Sequence, residues 1–114
     1  MEKAFRDLLE LIWEASNALS RNPPCMVTTR AYLKMAEAAT FGLLAKTTDD
    51  DEYKRLQRVC NYSEAFCFRQ RSWTAVAHFM SRFWEGVYDG FFDHTLGRDG
   101  KYYENGYKMV RYSK

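Results

Sequence analysis

Trp73-Thr74-Ala75-Val76-Ala77-His78-Phe79-Met80-Ser81-Arg82-Phe83-Trp84-Glu85-Gly86-Val87-Tyr88-Asp89-Gly90-Phe91 is the stretch that decides the fold class. Trp73, Val76, Ala77, Met80, Phe83, Trp84, Val87, Tyr88 and Phe91 return every three or four residues, the repeat of one helical face, and no other segment is as strongly periodic. With Ser72 available as a cap, the spacing predicts a helix over about 72–94 and makes it the most buried element. Gly86 and Gly90 within it read as a notch for close packing or an early helix end. Phe79 and Phe92 fall off the main stripe and are expected nearer the surface, as is Phe41 in an earlier segment.

Working outward, three more helices precede it. Phe5, Leu8, Leu9, Ile12, Ala15 and Leu19 form an apolar stripe over about 2–21, ended by Asn22-Pro23-Pro24 because proline disfavours helical geometry before it. A second helix over about 29–46, with Thr28 or Thr29 as cap, is rich in Ala31, Ala36, Ala38, Ala39, Gly42 and Ala45 and has Tyr32, Met35 and Leu43 as its larger core residues. Asp49 with Glu52 three residues on reads as a capping box for a third helix over about 50–70, whose inner stripe is Tyr53, Leu56, Cys60, Ser63 and Cys67. Asn61-Tyr62-Ser63 are weak helix formers, so a kink is expected there. Beyond Gly97, two tyrosine-rich runs flank Asn105-Gly106, the strongest short hairpin signal, and predict a β-hairpin over about 100–112. The expectation is a mainly α single domain, a four-helix bundle closed by a C-terminal β-hairpin.

Composition limits the function classes. The 114 residues are 46% hydrophobic and 28% charged, ordinary globular values that exclude a low-complexity chain. No run approaches the roughly 18 apolar residues of a membrane span, and no basic-then-apolar leader is seen, so no membrane association is expected. The three cysteines, Cys25, Cys60 and Cys67, form no C-x-x-C pair and fit a reducing, cytoplasmic setting better than a disulfide framework or a zinc site. The net charge of +2 is unevenly placed: residues 58–114 hold 9 Lys/Arg against 6 Asp/Glu and 14 of the 19 aromatics. Interleaved basic and aromatic side chains are what stacking on single-stranded nucleic acid requires, and they are also what a protein hot spot contains.

Two candidate binding surfaces follow. Arg55, Arg58, Tyr62 and Arg69 fall near one another on the third helix, with Lys54 and Arg71 flanking; the segment 53–71 has Glu64 as its single acid. Such a stripe suits phosphates or an acidic protein surface. Tyr103, Tyr107, Lys108, Arg111 and Tyr112 are the second set, since neighbouring strand positions of a hairpin point oppositely and cannot all be buried. Helix-turn-helix DNA recognition around Ala38-Thr40-Gly42 is disfavoured, because the following helix would enter the groove with Asp49-Asp50-Asp51-Glu52 in front.

Catalytic patterns are sparse. No P-loop, G-x-G-x-x-G, G-x-S-x-G or H-E-x-x-H occurs, and Asp89, Asp93 and His94 make one isolated short group, so no cofactor and no metal is expected. Arg71 followed by His78, with Ser72 after the arginine, loosely resembles the arginine-and-histidine motif of HEPN-type ribonucleases, which are small helical bundles. The resemblance covers one helix and implies Arg71 and His78 as residues acting on RNA. The reading that leads is a non-enzymatic protein-binding protein, an inhibitor, regulator or adaptor of the kind phages and mobile elements encode, anti-CRISPR inhibitors among them. A nucleic-acid-binding helical module using Arg55, Arg58, Arg69, Arg71, Lys101, Lys108 and Arg111 is second, and the ribonuclease third.

Overall fold

A computed structural model describes residues 1–111 of the chain. Among these residues there are five helices and no strand: α1 (Glu2–Leu19), α2 (Met26–Ala45), α3 (Asp50–Phe68), α4 (Trp73–Phe91) and α5 (Lys101–Arg111). They form a compact helical bundle in which α1 packs on α2 and α4, and α5 lies mainly along α4.

The central element is α4, as its period predicts. Val76, Ala77, Met80, Phe83, Trp84, Val87 and both glycines are buried, and the helix buries more residues than any other. Trp84 is fully buried and its indole N–H donates to Ser63 Oγ at 2.9 Å, so the ring enters the core without an unpaired donor. That contact and the stacking of Tyr62 on Phe83, with centroids 5.4 Å apart, engage the segment where a kink was expected, and α3 runs unbroken through it. Two of the three predicted caps form: Asp49 accepts from Glu52 N–H at 2.9 Å, and Ser72 accepts from Ala75 N–H at 3.1 Å. Phe79, expected near the surface, is fully buried; it stacks between Phe66 at 4.0 Å and Phe83 at 4.9 Å.

The C-terminal hairpin is corrected to a helix. Tyr103, Gly106, Tyr107 and Val110 are the buried set of α5, a three-four-seven spacing that seats one helical face on α4. Asn105-Gly106 is no turn; Gly106 is the point of closest approach to Phe83, where a Cβ would run into the Phe83 carbonyl. Gly86 and Gly90 answer from α4: a Cβ at Gly86 would collide with the Tyr103 carbonyl, and one at Gly90 would sit 2.7 Å from the Tyr107 carbonyl oxygen. The backbones of the two helices therefore touch through three glycines, and the notch read from Gly86 and Gly90 has α5 as its occupant.

Helix ends also shift. α4 stops at Phe91 rather than near residue 94, because Asp93 adopts a left-handed φ of 58°. His94 N–H then donates to the Asp89 carbonyl at 2.8 Å and Asp93 N–H to Gly90 at 3.4 Å, the paired bonds that close a helix C-terminus. α2 begins at Met26 with Cys25 at the cap position, not at Thr28 or Thr29. Thr29 is buried and donates to the Cys25 carbonyl at 2.9 Å, which pins the first turn of α2 from inside. The small residues of α2 divide: Ala36 is buried, while Ala31, Ala38, Gly42 and Ala45 face outward, and Met35, expected in the core, is 53% exposed. No helix among the described residues is long and apolar enough to cross a membrane.

Candidate functional site

The sequence-derived basic and tyrosine residues do not converge on one surface. Arg55 is half-buried, and its guanidinium donates to the Val110 carbonyl at 3.3 Å, so it ties α3 to the end of α5. Arg58 is exposed. Tyr62 belongs to an aromatic joint of three helices, with Phe66 from α3, Phe79 and Phe83 from α4, and Tyr102 set edge-on from α5 at 5.2 Å from Phe79. Tyr103 and Tyr107, read as contact residues, are 0% and 5% exposed and hold α5 to the 92–100 connection. Tyr103 hydroxyl donates to Asp89 Oδ2 and accepts from Gly97 N–H at 2.8 Å; Tyr107 hydroxyl donates to the His94 carbonyl at 2.8 Å. Burial, and then the bond to Asp89, pushes the Tyr103 phenol up to about 12. Arg111 pairs with Asp93 at 2.9 Å and lies over the Tyr107 ring, Lys108 is exposed, and Tyr112 lies outside the described residues.

Arg69 and Arg71 do share a site. They line a cleft of about 730 Å³ at the turn between α3 and α4, together with Glu37 from α2, Glu64, Cys67 and Phe68 from α3, and Trp73 and Val76 from α4. Local structure fixes the turn at both ends. Gln70 side-chain N–H donates to the Phe66 carbonyl at 3.2 Å, closing the last turn of α3, and Ser72 caps α4. Phe68 lies about 100° round α3 from Cys67, off the buried stripe of Cys60, Ser63 and Cys67, and it is 90% exposed. Trp73 is half-buried across the turn, with the Arg30 guanidinium 5.9 Å from its ring centroid.

Among the described residues Glu37, Glu64, Arg69 and Arg71 make no ion pair within the chain. The Glu37 carboxyl is raised above its ordinary value by burial first and by the neighbouring charge of Glu64 second, with Lys34 acting in the opposite sense. Cys67 on the floor is pushed up to about 12 by burial and by Glu37, so its thiol stays protonated and is a packing group. A smaller groove lined by Lys34, Ala38 and Phe41 continues past Glu37 and Glu64.

His78 is exposed, meets the Tyr102 ring edge at 5.8 Å, and is not part of the cleft that holds Arg71. Among the described residues no group of three or more His, Cys, Asp or Glu side chains is placed to hold a metal ion. Of the residues lining this cleft, sequence reasoning named Arg69 and Arg71 as binding candidates and did not name Phe68, Trp73, Glu37 or Glu64. The signal for Phe68 was present: a large apolar residue one step beyond the stripe of Cys60, Ser63 and Cys67 falls on the polar face. The chain matches no family model, no curated protein and no solved structure.

Proposed function

We propose that this chain is a non-enzymatic protein-binding module, an inhibitor, regulator or adaptor, that docks its partner in the α3–α4 cleft. The observation that carries the reading is Phe68, a phenylalanine 90% exposed in the lining of a half-open cleft, with Arg69, Arg71 and Trp73 around it. Tryptophan and arginine about a pocket are the composition that dominates measured binding energy at protein interfaces. The cleft volume lies in the range that accepts a few side chains. A nucleic-acid module draws less support, because Arg55 and Arg111 are spent on intramolecular bonds and the cleft mixes two acids with its two arginines.

The test is selection of displayed peptides on nanomolar protein, followed by affinity measurement on wild type and Phe68→Ala. Binders that weaken by about thirtyfold or more in Phe68→Ala, in line with a hot spot of about 2 kcal/mol, are expected. Failure to recover any Phe68-dependent binder, alongside RNA or DNA binding with a steep log-log salt slope, would replace this reading with the nucleic-acid one.

A further inference from the structure

We infer that the cleft's occupant is a second copy of this chain, paired about a two-fold axis that seats each Phe68 in the other copy's cleft and sets each Arg69 and Arg71 against the other copy's Glu37 and Glu64. This rests on the docking reading above and names the partner.

Unpaired charge is the first ground. Two carboxylates and two guanidiniums line one cleft, yet none of the four is paired within the chain among the described residues. Both signs are present: the acids come from α2 and the last turns of α3, the arginines from the turn that follows. A ligand of one sign would leave half of these groups facing like charge. A two-fold interface lays a patch on its own copy, so a patch that carries both acids and bases can set each sign against its complement.

The apolar groups fit the same operation. Phe68 projects beside a cleft whose wall includes Cys67, Trp73 and Val76, so the chain carries both the knob and the hole. Each pairing uses both twice. The Glu37 carboxylate, disfavoured by burial and by Glu64 in the free chain, gains a cation in the pair. A contact confined to one cleft and one turn is expected to give a weak dimer that forms at about micromolar concentration.

Sedimentation velocity on the whole chain from about 1 µM to about 500 µM brackets such a constant. Wild type should pass from monomer to dimer, and Phe68→Ala should need at least tenfold more protein to do so. Arg69→Glu/Arg71→Glu and Glu37→Arg/Glu64→Arg should each remain monomeric, because every charged contact across the interface is then between like charges, which opposes the seating of Phe68. An equimolar mixture of the two should dimerise, since each carries only the sign the other lacks. Glu64→Arg alone, at an exposed position, replaces the double acid variant if circular dichroism shows the latter unfolded. A wild type that stays monomeric, a dimer that survives either reversal, or a mixture that fails to pair overturns the inference. A monomeric wild type that still yields Phe68-dependent peptide binders overturns self-pairing alone, whereas absence of both removes the docking reading with it.

Discussion

The α4–α5 seam and the side of the molecule formed by α2 and the α3–α4 turn treat the same residue types in opposite ways. In the seam, glycines lie against backbone, tyrosines are buried with their hydroxyls bonded, and Asp89 and Asp93 each have a partner. On the other side Gly42 faces open space, Phe68 stands in solvent, and Glu37 and Glu64 have no ion-pair partner among the described residues. Polar satisfaction and close packing are what folding stability rewards. Where a chain supplies them at one surface and withholds them at another, the second surface is the place to look for contacts made with something else.

Glycine substitution tests the contrast most sharply. Gly106→Ala must push a methyl into the Phe83 carbonyl, and since the obstacle is backbone, the two helices have to part; a loss of about 3 kcal/mol is expected from denaturant melts. Gly42→Ala meets nothing within 4 Å and relieves the unfolded-state entropy of a helical glycine, so it should gain about 0.5–1 kcal/mol. Equal effects from both would show that α5 does not lie in the glycine notch.

A smaller break concerns the connection between α4 and α5. Tyr103→Phe keeps the buried ring but removes the hydroxyl that bridges Asp89 and Gly97 N–H. The loss should be about 1–2 kcal/mol, the cost of leaving partly buried polar groups unpaired. Hydrogen exchange should speed up over residues 92–100 while the α1–α2 amides keep their protection. Unchanged exchange there would mean that His94 bound to Asp89 and Tyr107 hold the connection without Tyr103.

How much of this was legible follows the range of the interactions. The period of α4 and the caps Asp49 and Ser72 are local, within a few residues, and the sequence reveals them directly. Asn105-Gly106 misled because the dipeptide is locally a turn former, whereas the reason for Gly106 lies across the molecule at Phe83. Tyr103, Gly106, Tyr107 and Val110 carried a helical spacing all along, but β-prone tyrosines on both sides of a glycine outweighed it. The site behaves likewise. Arg69 and Arg71 stand out in a basic segment, but Glu37 joins them only because α2 passes the α3–α4 turn, a juxtaposition that no periodicity announces.

The smallest effect has the opposite sign to the seam variants and bears on whether the cleft is kept at a cost. Glu37 is half-buried beside Glu64, and both burial and that neighbour raise its carboxyl above the ordinary 4.5, more than Lys34 lowers it. A carboxyl raised in the folded state is easier to ionise in the unfolded chain, so as pH climbs through 4.5 and past the raised value, Glu37 subtracts stability. Glu37→Gln keeps the shape and removes the charge. The variant should therefore melt slightly above wild type at pH 7, and the gap should close below pH 4.5, where the carboxyl is neutral in both states. Measured at concentrations where the wild type is monomeric, the gain isolates the cost carried by the free cleft. At concentrations where copies pair, the same substitution removes half of the acid that meets Arg69 and Arg71, so self-association should weaken as the monomer is stabilised. A residue whose replacement helps the fold and harms the contact is kept for the contact; a Glu37→Gln chain that melts below wild type at pH 7 would return Glu37 to the fold.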